Sequence, residues 1–291
     1  ISREPNTAVR AVVLHARVVN GTGGGPDKTI FSSPRFLEPF GYRVVCAYMH
    51  PPGDPGFETL REKARAMNAR LEAIEDRGPF DLRVVKQLLE LCRHDRVAIW
   101  HGHDYKSNAI GLFLRRFWPM RLVTTVHGWV KFTRRTPLYY AVDRWCHRRY
   151  EKVICVSEDL YQRCLNNGVP RERCVLVHNA IDVEQYARRM PPQEAKARLG
   201  LEADRLWIGA VGRLSEEKGV LELLEATEGI PRVIVGDGPL RAGAPEAVGF
   251  VAPAQLGLYY ERAAVVVCPS RREGYGVVAR EAMAHGRPVV A

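Results

Sequence analysis

Two glutamates eight residues apart, with a glycine turn at the first, are the chemistry-bearing feature of this chain: Arg272-Glu273-Gly274-Tyr275-Gly276-Val277, then Glu281. A carboxylate accepts hydrogen bonds from vicinal hydroxyl pairs, so a carboxylate at each end of an extended ligand suits a sugar and a ribose. Gly274 and Gly276 let a ligand come close to the backbone. From about Tyr275 the residues are good helix formers, and the N–H groups and dipole of a first helical turn attract anions. Upstream, Ala263-Ala264-Val265-Val266-Val267-Cys268 is apolar and unbroken, the pattern of a short buried strand. Strand, acid-bearing turn and helix start together make a site for a polar, phosphorylated ligand. A solvated helix start with an N-terminal acid would account for one glutamate, but not for both glycines, the aromatic between them and the strand that feeds the turn.

A second set of the same kind precedes it. A strand at Trp207–Val211 leads into Gly212-Arg213-Leu214-Ser215-Glu216-Glu217-Lys218-Gly219 and a helix from Val220. Arg213 and Lys218 flank that helix start and can grip a diphosphate from either side. The strand Arg232–Val235 ends at Gly236-Asp237-Gly238-Pro239.

The first half carries its own candidates. Val9–Leu14 is a strand ending near His15, followed by the loop Gly21-Thr22-Gly23-Gly24-Gly25-Pro26 and a helix from about Asp27 to Pro39. This opens a nucleotide fold but is a poor dinucleotide fingerprint. Pro26 stands where the third glycine belongs, and the next strand, Tyr42–Met49, does not end in an acid. The loop either admits a phosphate or sugar to the backbone or is a flexible turn. Helices are expected over 57–76, 80–93 and 108–117. The strand Val97–Trp100 runs into His101-Gly102-His103-Asp104, and the strand Arg121–Val126 into His127-Gly128-Trp129. In an open parallel sheet the ligand crevice lies at such carboxyl ends. His101 and His103 read as packing or supporting residues, and no cluster with zinc-ligand spacing accompanies them, so no metal site is expected.

At 291 residues and 46% hydrophobic, the chain can bury two cores, and it contains no apolar run of membrane-spanning length. Seven cysteines without a Cys-x-x-Cys pair fit reduced thiols, and the first residues do not read as a signal peptide, so a cytoplasmic protein is expected. The net charge of +10 implies an acidic partner: nucleic acid, anionic lipid or phosphorylated substrate. Arg115-Arg116-Phe117-Trp118, Lys131-Phe132, Arg134-Arg135, Tyr139-Tyr140, Arg144-Trp145 and Arg148-Arg149-Tyr150 interleave bases with aromatics. That mixture suits an anionic membrane surface, or is an ordinary solvated face over core aromatics. It carries no RNA-binding signature.

Taken in order, Gly212-Arg213-Leu214, Glu217-Lys218-Gly219, Gly236-Asp237-Gly238-Pro239, Glu273-x7-Glu281 and Gly286-x-Pro288-Val289-Val290 resemble family 4 glycosyltransferases. His127-Gly128 and Asn179-Ala180-Ile181-Asp182 extend the resemblance into the first half; Ala180 stands where the family usually has glycine. The resemblance implies an α/β protein of the GT-B fold, with two Rossmann-like domains whose parallel sheets face across a cleft. Residues 1–185 would be the acceptor-side domain, 186–205 a linker and 206–291 the nucleotide-sugar domain. It also implies a retaining transfer from a UDP- or GDP-type sugar to a glycan or lipid-linked acceptor, as in cell-envelope or polysaccharide synthesis.

By the same resemblance, Arg213 and Lys218 would hold the donor diphosphate beside Gly212 and Gly236. Glu281 would bind the ribose, and Glu273 the donor sugar. The backbone of Gly274, Tyr275, Gly276 and Val277 would touch sugar and phosphate, and Gly24 and Gly25 would line the phosphate side. His127, with Glu273, Arg213 and Lys218, would act at the reaction centre, with His103 and Asp104 on the acceptor side. The chain contains no Asp-x-Asp pair, so neither metal nor cofactor is expected, and no covalent nucleophile is evident. Family members continue beyond the last motif with a phosphate loop and further helices, so part of the donor site is expected outside this numbering. Two other readings stay open: a GT-B relative such as a sugar-nucleotide epimerase, and a non-enzymatic basic protein that binds membrane or nucleic acid. A phosphorylase would need a pyridoxal-binding lysine, which is not identifiable.

Overall fold

The apolar runs become two all-parallel sheets in a computed structural model that describes residues 10–128, 136–184, 186–271 and 276–291. The chain divides into two units between Asn179 and Ala180, six residues before the expected boundary.

Unit 1 alternates strand and helix throughout. Its elements are β1 (Ala11–Val18), α1 (Gly25–Leu37), β2 (Tyr42–His50), α2 (Phe57–Ala66), β3 (Leu71–Glu75), α3 (Leu82–Asp95), β4 (Val97–Gly102), α4 (Tyr105–Leu114), β5 (Arg121–Val126), α5 (Thr136–His147), β6 (Lys152–Cys155), α6 (Glu158–Asn166) and β7 (Cys174–Leu176). The strand order is β3-β2-β1-β4-β5-β6-β7, so the chain reverses direction across the sheet between β1 and β4. Side chains alternate faces along a strand. On β2, Val45, Ala47 and Met49 join the core with Leu14, Trp100 and Leu114, while Val44, Cys46 and Tyr48 join the opposite core with Ile30, Phe31 and Leu60. Both faces of the sheet are therefore covered, as a βαβ order demands.

The helix expected over 57–76 stops at Ala66. Asn68 adopts a left-handed backbone (φ 53°), and Leu71–Glu75 then pairs with β2 as the edge strand. Asp81, Asp104 and Ser157 cap α3, α4 and α6 through side-chain oxygens that accept from first-turn N–H groups.

Unit 2 comprises α7 (Pro192–Arg198), β8 (Ile208–Val211), α8 (Val220–Ala226), β9 (Arg232–Val235), α9 (Pro253–Glu261), β10 (Val265–Val267), α10 (Val277–Ala284) and β11 (Val289–Val290), with strand order β11-β10-β8-β9. The segment expected as a linker, 186–205, is built into this unit. Ala195 is buried, and Lys196 Nζ donates to the carbonyls of Ala203 (2.7 Å) and Arg205 (2.6 Å), folding the segment onto itself.

Asp27 joins the glycine loop to the sheet of unit 1. Its buried carboxylate accepts from Gly24 N (2.5 Å) and the Tyr48 hydroxyl (2.8 Å) and pairs with Arg17 (2.9 Å). Removing it strands a cation and two donors, so Asp27→Ala should lower the stability of unit 1 by about 3 kcal/mol. Urea unfolding followed by tryptophan fluorescence measures this, and an unchanged midpoint would contradict it.

Candidate functional site

The carboxyl ends of β1, β4 and β5 bring together four histidines that lie far apart in sequence. His15 pairs with His101 across β1 and β4, and His103 and His127 follow immediately after β4 and β5. His15 Nδ1 lies 2.8 Å from His103 Nε2, and His103 Nδ1 lies 3.0 Å from His127 Nε2. His101 Nε2 lies 2.7 Å from the Thr125 hydroxyl, and its ring stacks on that of His103 at 4.4 Å. Burial disfavours the imidazolium throughout. It pushes His15 down to about 4; His127 falls to about 3, with Arg17 and His15 adding to the effect. His101 and His103 are held well below the usual histidine range by burial and then by their histidine neighbours.

The fold adds His15 to the pair expected as packing or supporting residues: nitrogens of His15, His101 and His103 lie within 4.8 Å of one another. Sequence spacing could not show it, because β1 and β4 are joined only through pairing. The rings stack, His103 bonds to both His15 and His127, His15 Nε2 faces Ser33 and His101 Nε2 meets Thr125, so the arrangement here is a hydrogen-bonded array.

Two of the acceptor-side expectations change. His103 is buried with both nitrogens engaged by histidines, so it presents no group to a ligand. Asp104 is a helix cap: its carboxylate accepts from Lys106 N, Ser107 N and, across to β1, Val18 N. Burial raises its pKa despite those bonds. His127 stands at the end of the array, and its Nδ1 is buried without a hydrogen-bond partner among the described residues. Gly24 and Gly25 are exposed, and a side-chain carbon on Gly25 would meet nothing within 4 Å. The Gly24 N–H, however, is already taken by Asp27.

In unit 2 the carboxyl ends of β8, β9 and β10 converge through backbone contact. Leu214 N donates to Asp237 O (2.9 Å), and Leu240 N to Leu214 O (2.9 Å). Gly236 has φ 142°, and any side-chain carbon there would overlap the Gly212 carbonyl, so no other residue fits. The loop after β8 also meets the exit of β10. Arg271 N donates to Glu217 O (3.0 Å), and the Arg271 guanidinium pairs with Glu222. Arg213 lies exposed and Lys218 partly so, on this loop. Glu217 is held below the usual carboxylate range by its own N–H, the Ser215 hydroxyl and then the charges of Arg213 and Lys218. Gly276, in a left-handed conformation (φ 67°), starts α10, with Val277 as its first residue. Glu273, Gly274 and Tyr275 lie outside the described residues.

Glu281 differs from expectation. Its carboxylate is inside unit 2, 1% exposed, and Oε2 accepts from the Tyr260 hydroxyl at 2.7 Å. In this conformation it does not offer ribose an open carboxylate.

A basic groove lies between α4 and α5, lined by Arg115, Arg116, Arg148, Arg149, Trp145 and Phe113. Arg115 pairs with Glu151 (2.5 Å). Arg148 and Arg149 donate to the carbonyls of Asn167 and Trp145, which do not cancel their charge. Along α5, Leu138, Val142 and Trp145 are exposed at helical spacing.

The comparisons with known proteins agree with this architecture. A family model described as Glycosyltransferase Family 4 matches residues 24–185, more than half of the chain. This chain belongs to glycosyltransferase family 4. A second model, Glycosyl transferases group 1, matches residues 205–291. Among curated relatives, the uncharacterized glycosyltransferase MJ1607 of Methanocaldococcus jannaschii is 30% identical over 225 residues, covering 67% of this chain and 57% of the relative. The D-inositol 3-phosphate glycosyltransferase of Mycobacterium tuberculosis is 27% identical over 252 residues, covering 76% and 49%. The chain thus spans about half the length of these relatives. The crystal structure of Anabaena HepE in complex with UDP superposes with a TM-score of 0.76 at 20% identity, covering 96% of this chain and 80% of that one. Sucrose-phosphate synthase from Thermosynechococcus elongatus gives 0.70 at 20% identity, covering 95% and 80%. These likenesses establish the GT-B fold of this family 4 member.

The histidine array makes stability depend on pH. The folded pKa values of His15 (about 4) and His127 (about 3) lie below the unfolded value of 6.5. The unfolded chain therefore binds more protons below pH 6.5, and stability falls as pH drops from there toward 4, by up to ~1.4 kcal/mol per pH unit for each histidine. Urea unfolding at pH 7.5 and 5 should show this slope, reduced in His15→Gln. A flat profile would contradict the burial.

Proposed function

We propose that this family 4 protein transfers a sugar, with retention of anomeric configuration and without a metal, from a nucleoside-diphosphate sugar to an acceptor. The observation that carries the proposal is the loop of Arg213 and Lys218 held against the exit of β10, directly before the Glu273 turn. As the glycosidic bond breaks, charge develops on the departing diphosphate, and the two cations together with the α10 N-terminus stabilise it. No Asp-x-Asp pair is present to bind a divalent ion, and arginine and lysine take that role here. The acceptor oxygen attacks the anomeric carbon on the face from which the diphosphate leaves, and the acceptor proton passes to a phosphate oxygen. Glu273, with the backbone of Gly274 and Tyr275, orients the donor sugar. Gly212, Gly236, Gly276 and Val277 keep the backbone close to it, and Gly24 and Gly25 line the phosphate side. His127 accepts a sugar hydroxyl. Glu281 reaches the ribose after its bond to Tyr260 gives way. UDP is the leading nucleotide, since the HepE structures hold UDP and UDP-glucose.

The acceptor is a glycan or lipid-linked molecule of the cell envelope or a polysaccharide, met at the cytoplasmic face of a membrane. The exposed Leu138, Val142 and Trp145 beside Arg148 and Arg149 support this, since apolar side chains flanked by guanidinium groups suit anionic lipid. No helix among the described residues is long and apolar enough to cross a membrane.

A second reading has a structural neighbour in its favour: a putative UDP-N-acetylglucosamine 2-epimerase from Listeria monocytogenes superposes with a TM-score of 0.59 at 15% identity. The two readings separate on product. With UDP- and GDP-sugars and lipid-linked acceptors, NMR should show a glycoside with the donor's anomeric configuration, formed at the same rate in EDTA. Lys218→Ala should slow transfer about 10²–10³-fold. An inverted glycoside, an epimerised nucleotide sugar or loss of activity in EDTA would overturn the proposal.

A further inference from the structure

We infer that His15 and His103 are positioning residues that hold His127 as its Nε2–H tautomer, leaving Nδ1 as a bare acceptor for a sugar hydroxyl. The array has one proton for each nitrogen–nitrogen gap, and the end groups decide its direction. Ser33 has a single hydroxyl proton, which it donates to the Ile30 carbonyl at 2.6 Å. Toward His15 Nε2, 3.4 Å away, Ser33 can therefore only accept, and His15 carries its proton on Nε2. His15 Nδ1 then accepts from His103 Nε2–H at 2.8 Å, and His103 Nδ1 accepts from His127 Nε2–H at 3.0 Å.

The reverse direction is worse at both ends. It sets a bare His15 nitrogen against the Ser33 lone pairs and buries an N–H at His127 Nδ1, an atom with no partner among the described residues. A buried unmade donor is disfavoured. Neutral rings are required for either direction, and burial keeps all three neutral.

The consequence is selective. A bare imidazole nitrogen accepts from a hydroxyl and repels a phosphate or carboxylate oxygen. The first unit therefore offers a sugar hydroxyl an acceptor at His127 once Nδ1, buried in this conformation, is uncovered, while the cations that suit the diphosphate lie on the second. Only the identity of the hydroxyl's owner rests on the transferase reading; the tautomer does not.

The test is ¹⁵N NMR of histidine-labelled protein at pH 7, beside His103→Phe and His103→Asn. The expected wild-type spectrum shows His127 with Nε2 protonated and Nδ1 bare. His103→Phe keeps a ring in the stack but removes the acceptor, so His127 should become a mixture of tautomers. In His103→Asn the amide oxygen replaces Nδ1 as acceptor and should restore the single tautomer. In transfer assays His103→Phe should lower kcat about 10-fold, with Asn recovering most of it. A protonated His127 Nδ1 or mixed tautomers in the wild type would overturn the inference, as would an unchanged His127 spectrum in His103→Phe. Because the spectrum needs no turnover, an inactive protein with the expected tautomer would count against the transferase reading alone.

Discussion

In-register pairing of parallel strands is the constraint on which the chemistry of this protein depends. β1, β4 and β5 run side by side in one direction, so the polar residues at their carboxyl ends emerge on one edge of the sheet. The apolar bodies of the strands fill cores on both faces. His15 and His103 are buried at their ends and bond to one another, while His101 and His127 are partly buried. A one-residue slip between β1 and β4 would part His15 from His101 and turn His15 to the other face, which is why the register and the array stand or fall together.

The second unit solves a different problem. The loops after β8, β9 and β10 meet backbone to backbone, and side chains would keep the first two apart. Gly236 and Gly238 remove that obstacle: a side-chain carbon would overlap the Gly212 carbonyl at the first and the Leu214 backbone at the second, and Leu214 bonds to the Asp237 carbonyl. Arg271 ties the exit of β10 to the same loop through Glu217 and Glu222. Arg213 and Lys218 are thereby carried on a braced loop, and braced donors need little reorganisation when charge develops on a leaving group.

Much of this was legible in the residues. The repeated passage from apolar strand through glycine turn to helix specified parallel α/β units, while the anion and sugar roles of the Arg213–Lys218 loop and the Glu273–Glu281 pair belong to the proposal. What escaped depends on tertiary context. β3 reads as helix because it is an edge strand in which Glu72 is half-buried, Glu75 is exposed and only Ile74 is fully buried. The stretch around α7 reads as a linker because it is polar and carries Met190-Pro191-Pro192, yet Ala195 is buried and Lys196 folds the segment onto two of its own carbonyls. Asp104 and His103 looked like ligand contacts, and they are a helix cap and a link in the array. The joining of His15 to His103 could have been suspected only from a histidine inside an apolar strand, a weak signal without the pairing partner. Glu281 shows the reverse case: its motif is plain in the sequence, but its burial beside Tyr260 is not.

The most direct measurement of the central claim is calorimetric titration of UDP and GDP into this chain at moderate salt, beside Arg213→Ala with Lys218→Ala. One nucleotide should bind with an affinity that survives added salt, and the double variant should abolish binding. If neither nucleotide binds, or both bind weakly, fade with salt and leave the variant unchanged, the second unit is not a nucleotide-sugar site and the account fails at its centre.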